Sequence, residues 1–220
     1  MPISTTIVTA GSGPTMGPQL VGIGRCPHCG IANPYFVKVW SSDGRTARAD
    51  GQRSWYWGCY KCTSCGSIVS AYSEKLPNEF IILDVFPISK LAHEDIPLIA
   101  RTFLQQAYDT LHAPDAAAVM AGSAVDAMLK AKGFTDGSLY TRIDRALQDN
   151  VLTKGMADWA HSVRLGSNRP RHADAEKPHV SAAEAQQSVD FAEALGNFLF
   201  VLTARIERGI EAAKTAEDNT

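Results

Sequence analysis

All five cysteines of the 220-residue sequence fall between Cys26 and Cys65. Cys26-Pro-His-Cys29-Gly30 and Cys62-Thr-Ser-Cys65-Gly66 are both CxxC knuckles followed by glycine. Two residues between thiolates let a tight turn aim both sulfurs at one ion, and glycine suits the left-handed backbone that closes such a turn. With 32 residues between Cys29 and Cys62, the spacing reads as a Cys₄ zinc ribbon. Cys26, Cys29, Cys62 and Cys65 would hold one structural Zn²⁺ per chain, because four thiolates fill a tetrahedral shell and leave no open position for catalysis. An odd cysteine count in a chain of cytosolic character argues against a disulfide framework. Cys59 is surplus. It can replace Cys62 only in a longer CxxCxxC register, and the Cys62/Cys65 pair mirrors the first knuckle better. His28 reads as an exposed knuckle residue, since four sulfurs already suffice.

A second set of reactive side chains lies between His161 and His179. It holds Arg164, Arg169, Arg171 and Lys177 with three histidines, against Asp174 and Glu176. Arg164, Asn168 and His172 are spaced by four, so on continuous helix they share a face. Pro170 interrupts that reading, because an interior proline removes a hydrogen bond and crowds the preceding turn. The chain is expected to turn near Asn168 and restart with Pro170 in its first turn. Guanidinium grips phosphate oxygens bidentately at any physiological pH, and imidazole moves a proton near neutrality. On RNA that pair can assist attack of the neighbouring ribose hydroxyl on the phosphodiester without a metal. The competing reading is structural, with the arginines capping helix carboxyl ends and pairing with Asp126, Asp158 or Glu184.

The elements that must position these groups change period at Pro87. Before it, Tyr35–Trp40, Ser54–Trp57, Ile68–Tyr72 and Phe80–Phe86 are rich in aromatic and β-branched residues, the composition of strands. Trp40, Trp55, Tyr56 and Trp57 either cover the small core of the ribbon or form a base-stacking platform, and the first reading suits so small a domain better. After Pro87 the period is helical. Asp95 with Pro97 marks a first helix carrying Ile99, Phe103, Ala107 and Leu111. Ala117, Met120, Ala121, Ala124, Val125, Met128 and Leu129 stripe a second helix that stops at Gly133. Ser138 caps a third and Thr153 a fourth. Ser181 and Glu184 form a capping box for the last and longest helix, whose apolar face runs from Val189 through Leu202 and Ile206 to Ile210. Phe191, Phe198 and Phe200 widen that face, so this helix is expected to be buried on more than one side, as a central bundle helix or a dimer seam.

Composition limits the classes. Hydrophobic residues are 45% and charged residues 20% of the chain, which excludes a disordered or fibrous protein. Residues 1–94 hold eight Lys/Arg against six Asp/Glu, and residues 95–220 hold 13 against 17. Neither half has the basic balance of a duplex-DNA binder, and a Cys₄ zinc site adds two further negative charges. No apolar run reaches the roughly 18 residues of a membrane span. The opening residues have neither the basic start nor the apolar centre of a secretory signal, so the expected address is cytoplasmic, without membrane contact. The expected organisation is a flexible N-terminus (1–20), a zinc-ribbon domain (21–90), a helical bundle (91–213) and a polar tail (214–220).

The CPHCG knuckle, the second CxxCG and the segment Arg164-Leu-Gly-Ser-Asn168-Arg-Pro-Arg-His172 occur in an order that resembles the bacterial domain-of-unknown-function family four-one-four-five. That family is often grouped with the HEPN superfamily of helical bundles. The resemblance spans Cys26 to Arg208, with Ser167 standing where the family usually has glycine. It implies an α+β protein: a small N-terminal β zinc ribbon followed by an all-α HEPN-like bundle of four to five helices. Many HEPN proteins are homodimers that act as metal-independent endoribonucleases in toxin–antitoxin and phage-defence systems. By that similarity Arg164 would hold the scissile phosphate, His172 would be the general acid or base, and Asn168 would orient one of them. Asp126 would pair with Arg164. The implied partners are RNA and a second copy through the helical bundle. Some members are noncatalytic, so the alternative is an adaptor that binds a protein of a defence or restriction system.

Overall fold

The computed structural model describes residues 13–52, 54–172 and 176–218. The chain divides into two compact units, Met1–Lys90 and Leu91–Thr220. The first is built of strands and the second of helices, so the class is α+β. No helix among the described residues is long and apolar enough to cross a membrane.

The strands do more than form a ribbon. β1 (Thr15–Met16), β2 (Gln19–Val21), β3 (Phe36–Ser41), β4 (Tyr56–Cys62), β5 (Ile68–Lys75) and β6 (Phe80–Phe86) pair antiparallel in chain order. Thr15 then pairs with Ile81, so β1 meets β6 and the sheet closes into a barrel. Closure removes the unpaired edges that an open ribbon would expose. The strands that close it come from the end of the stretch expected to be a flexible N-terminus. Two- and three-residue strands are too short to show a period in sequence. Residues 1–12 of that stretch lie outside the described residues.

Alternation along β4 places Gly58, Tyr60 and Cys62 in the interior, while Trp57, Cys59 and Lys61 face outward. Phe36, Tyr60, Val69 and Ala71 fill the barrel without exposure. The Tyr60 hydroxyl donates to the Gly17 carbonyl at 3.0 Å. The aromatics singled out in the sequence divide between the two faces. Tyr56 packs edge-on against Phe80 beside the core, at 5.1 Å between ring centroids. Trp57 lies 5.1 Å from Tyr72, and both neighbour Phe86 outside the barrel. A bulge between Lys38 and Trp40 sets Trp40 beside Cys59, and Trp40 is left half exposed.

In the second unit the helices are α1 (Leu98–Asp109), α2 (Pro114–Ala131), α3 (Leu139–Gln148), α4 (Lys154–His172), α5 (Ala182–Gly196) and α6 (Leu202–Asp218). A π-helical segment, Asn197–Val201, joins the last two. α1 starts at Leu98 without a side-chain cap, and Asp95 instead accepts both terminal nitrogens of Arg208. The Ser138 hydroxyl caps α3 by accepting from the Thr141 backbone, and Thr153 accepts from the Met156 backbone. Ser181 and Glu184 form the capping box of α5.

Two expectations are corrected. α4 runs without a turn through Asn168 and Pro170 to His172. Pro170 sits in its final turn, where the missing N–H removes one hydrogen bond and only two residues follow. The last helix is buried only in its first part: α5 packs against α1, α2 and α4, as expected of a bundle helix, whereas α6 is exposed from Leu202 to Thr215 except at Ala204. The expected polar tail enters this helix, which continues to Asp218.

Gly122 sets the approach of α2 to α4. A Cβ built there would lie 2.6 Å from the Ser167 Oγ and 2.7 Å from its Cβ. Ser167 is 1% exposed, and its hydroxyl donates to the Arg164 carbonyl at 3.0 Å. The serine therefore occupies the volume that Gly122 leaves open. Gly122→Ala should lower stability by about 1–3 kcal/mol through overpacking. In a denaturation double-mutant cycle, adding Ser167→Gly should return part of that loss, despite the roughly 1 kcal/mol that glycine costs in a helix. Strict additivity would show that the two residues do not share this contact.

Candidate functional site

The first candidate site is a metal centre at one end of the barrel. Each knuckle closes by the same bonds. Gly30 N–H donates to the Cys26 carbonyl and Gly66 N–H to the Cys62 carbonyl, both at 2.9 Å. Cys26 N–H donates to the Ile31 carbonyl and Cys62 N–H to the Ser67 carbonyl, at 3.0 and 2.9 Å. Gly30 and Gly66 take φ of 71° and 76°, the left-handed region where a side chain would strain the turn. The first knuckle lies inside an Arg25–Ala32 bridge, and the second is the turn between β4 and β5. The pairing of Phe36 with Cys62 brings them together, aided by the Thr63 N–H bond to the Tyr35 carbonyl.

The sulfurs of Cys26, Cys29, Cys62 and Cys65 consequently lie within 4.8 Å of one another. Cys26 and Cys65 are 4.0 Å apart, close to the roughly 3.8 Å between sulfurs on a tetrahedral zinc with 2.3 Å bonds. All are free cysteines, and three of the four are buried. Burial pushes the Cys26 thiol up to about 12 and raises Cys29 as well. Burial also opposes ionisation of Cys65, but hydrogen bonds led by the Ser67 side chain and backbone bring it down to about 7. Four sulfurs this close ionise together only around a cation, and the donor set fits a structural zinc.

The surplus residues separate cleanly. Cys59 lies an odd number of residues from Cys62 on the same strand, so it faces away from the cluster. His28 is not a ligand either: its Nε2 lies 2.9 Å from the Ile68 carbonyl and ties the first knuckle to β5.

The second candidate site is the cationic face of α4. Arg164, Asn168 and His172 share a helix face, with Arg164 and His172 about 12 Å apart along the axis at 1.5 Å per residue. Among the described residues no hydrogen bond or ion pair joins the three. The Arg164 guanidinium lies over the Tyr140 ring, 5.3 Å from its centroid, and its Nε is buried without a partner. No carboxylate among the described residues is within ion-pair distance of it. His172 is exposed at the end of the helix.

Asp126 does not pair with Arg164. It accepts Arg142 Nη1 at 2.7 Å and Lys130 Nζ at 2.6 Å. Arg142 also donates to the Thr135 carbonyl, so this pair clamps α3 to α2. Much of the remaining positive charge is also committed. Arg169 and Lys177 converge on Glu184 at 2.8 and 2.9 Å. The Ser181 backbone N–H, with Lys177 and Arg169, holds the Glu184 carboxyl far below the usual carboxylate range. Arg171 donates to the Ser123 hydroxyl, and His179 meets Asp115 at 2.6 Å.

Two neighbours of Arg164 carry no motif. The Tyr140 ring lies tilted against His161, 4.8 Å between centroids, and His161 Nε2 lies 3.1 Å from Asp144. Only the spacing of Tyr140 and Asp144, four apart on α3, hints in sequence that they share a face. The resulting site is a guanidinium seated on an aromatic ring beside an imidazole–carboxylate pair, an arrangement that can receive an oxyanion on its open donors.

Freshly purified protein should contain one zinc per chain by metal analysis. Cys62→Ser should lose the metal and lower the thermal midpoint of the barrel by more than 5 °C (order of magnitude from). Cys59→Ser should keep both, and loss of zinc in that variant would reassign the ligand set.

No curated protein and no solved structure matches the chain. Residues 105–213, from α1 to α6, match the family described as Domain of unknown function (DUF4145). That segment of the helical unit is similar to this family, and the match covers just under half of the chain.

Proposed function

We propose that the protein binds RNA and acts on it as a metal-independent endoribonuclease of HEPN type, in a bacterial defence or toxin–antitoxin setting. The observation that carries this reading is the state of Arg164: a guanidinium with no carboxylate partner among the described residues, held by an aromatic face on a helix that also presents Asn168 and His172. An arginine without a carboxylate among the described residues, while Arg142, Arg169 and Arg208 are each paired, is suited to receive a phosphate. Arg164 would hold the scissile phosphodiester and His172 would move the proton, with Asn168 between them. The zinc site would hold the barrel's knuckles together and take no part in the chemistry. The half-exposed Trp40 on the outer face of the barrel offers a surface on which a base can stack.

The second reading is a noncatalytic adaptor for a protein of a defence system. Its support is Asp126, whose carboxylate is taken up by Arg142 and Lys130 and so does not orient Arg164.

Labelled RNA incubated with the protein in EDTA separates the two. Cleavage by the wild type, reduced about 100-fold or more in both Arg164→Ala and His172→Ala, is the outcome expected of the nuclease. Asp126→Asn should act through stability and leave the rate per folded molecule near that of the wild type. RNA left intact by wild-type protein would favour the adaptor.

A further inference from the structure

The barrel carries a pocket of about 260 Å³ where the turn between β1 and β2 meets the end of β3 and the start of β4. It lies at the opposite end of these strands from the metal knuckles. Ser41 pairs with Gly58 at the pocket, and Phe36 with Cys62 at the sulfurs, five residues or about 17 Å further along β3. The walls are held by bonds already made. Ser42 Oγ accepts from the Trp57 N–H at 3.1 Å and donates to the Gly44 carbonyl at 2.7 Å. Lys38 N–H donates to the Pro18 carbonyl at 3.1 Å and joins the turn to β3. Tyr60, without exposure, lies at the inner end with its hydroxyl on the Gly17 carbonyl. A Cβ on Gly58 would lie 2.8 Å from that ring, so the glycine lets the ring take this place. A ligand therefore meets walls that need little ordering.

The groups left uncommitted select the ligand. The lining is chiefly apolar, with Tyr56 and Phe80 as its outer rings. Among the described residues the hydroxyls of Tyr56 and Ser41 make no hydrogen bond, whereas those of Tyr60 and Ser42 are taken. Lys38 is the one charged residue of the lining, and no carboxylate among the described residues pairs with its ammonium. Two more cations border the rings. The Arg45 guanidinium, which meets Glu74 at 4.0 Å, lies 5.8 Å from the Tyr56 centroid, and the Lys75 ammonium lies 5.9 Å from that of Phe80. Aromatic walls by themselves would suit an organic cation. A lining that holds an ammonium and no carboxylate disfavours one and favours an anion. The complementary molecule is a flat ring with hydrogen-bonding edges joined to a negative group. We propose that this pocket is a nucleotide site. The base lies against the Tyr56 and Phe80 rings with its edge on the Tyr56 and Ser41 hydroxyls, and Lys38 holds the phosphate. A volume just below that of drug-sized pockets admits one base. A free nucleoside monophosphate and the 5′-terminal nucleotide of a strand share this chemistry. The proposal is independent of the nuclease reading, because no residue of α4 takes part in it.

Nuclear magnetic resonance titration of the full chain with the four nucleoside 5′-monophosphates, their nucleosides and a 5′-phosphorylated dinucleotide tests it. At least one monophosphate should bind with a dissociation constant on the order of 0.1–1 mM, and its nucleoside at least about fivefold more weakly. Lys38→Ala should abolish that difference and leave the nucleoside within about twofold of its wild-type affinity, while Lys38→Arg keeps the difference. Tyr56→Phe should weaken nucleotide and nucleoside alike, by about three- to tenfold. Metal content equal to that of the wild type checks that each variant barrel is intact. Arg164→Ala should bind the monophosphate as the wild type does. A dinucleotide about tenfold tighter than the monophosphate identifies a strand end as the ligand, and equal affinities identify the free nucleotide; both uphold the site. No binding of any monophosphate or of the dinucleotide up to about 5 mM would overturn it. So would equal affinity for nucleotide and nucleoside, a Lys38→Ala variant that binds nucleotide like the wild type, or loss of binding in Arg164→Ala.

Discussion

Within the barrel, the position of the four sulfurs depends on a hydrogen-bond register more than on the cysteines themselves. The pairing of Phe36 with Cys62 sets the start of β3 against the end of β4, and the two knuckles lie beside those ends. A shift of one residue would turn Cys62 to the outer face, where Cys59 already lies, and would separate the donors. Tyr60 and Phe36, both fully buried, hold this register through packing, and the Tyr60 hydroxyl bond to Gly17 ties in the loop between β1 and β2. Metal binding and barrel closure thus support the same arrangement. The ion would link two turns that the strands have already brought together, and the closed sheet keeps three of its four ligands from water.

The helical unit is organised by close approach around α2. Gly122 admits the Ser167 side chain, and that contact fixes the rotation of α4 about its own axis. The same rotation presents Arg164 to Tyr140 and turns Ala157, Ala160 and Val163 into the core. The Asp126–Arg142 pair, largely withdrawn from solvent, fixes α3 on the neighbouring side. Such a pair costs desolvation as well as contributing attraction, so its main effect is to select one orientation of α3. The dense positive charge between α4 and α5 is then sorted by geometry. Arg169 and Lys177 neutralise Glu184 at the start of α5, where a carboxylate also satisfies the helix's amino end, while Arg164 meets no carboxylate among the described residues.

Strand period, CxxC spacing, helix stripes and the Ser181–Glu184 capping box were legible in the residues because each is local. Apolar positions at i, i+3 and i+4 need only a helix to acquire meaning, and two CxxCG turns need only one ion. Other features depended on partners distant in the chain. Barrel closure rests on Thr15 meeting Ile81, and strands of two or three residues carry no periodic signal. The continuity of α4 through Pro170 rests on that proline falling in the last turn, which the position of the helix end decides.

The sequence alone determined the donor set at the barrel end, the change from strands to helices and most helix starts, because backbone preference and ligand chemistry act over a few residues. Only tertiary structure decided which charges would be spent. Asp126 went to Arg142 and Arg169 to Glu184, while Arg164 met an aromatic ring. It likewise left the ridge of Ile206 outside the core, although its spacing matches that of the buried stretch before it. Periodicity defines a face of a helix, but whether that face is covered depends on what the rest of the chain can bring against it.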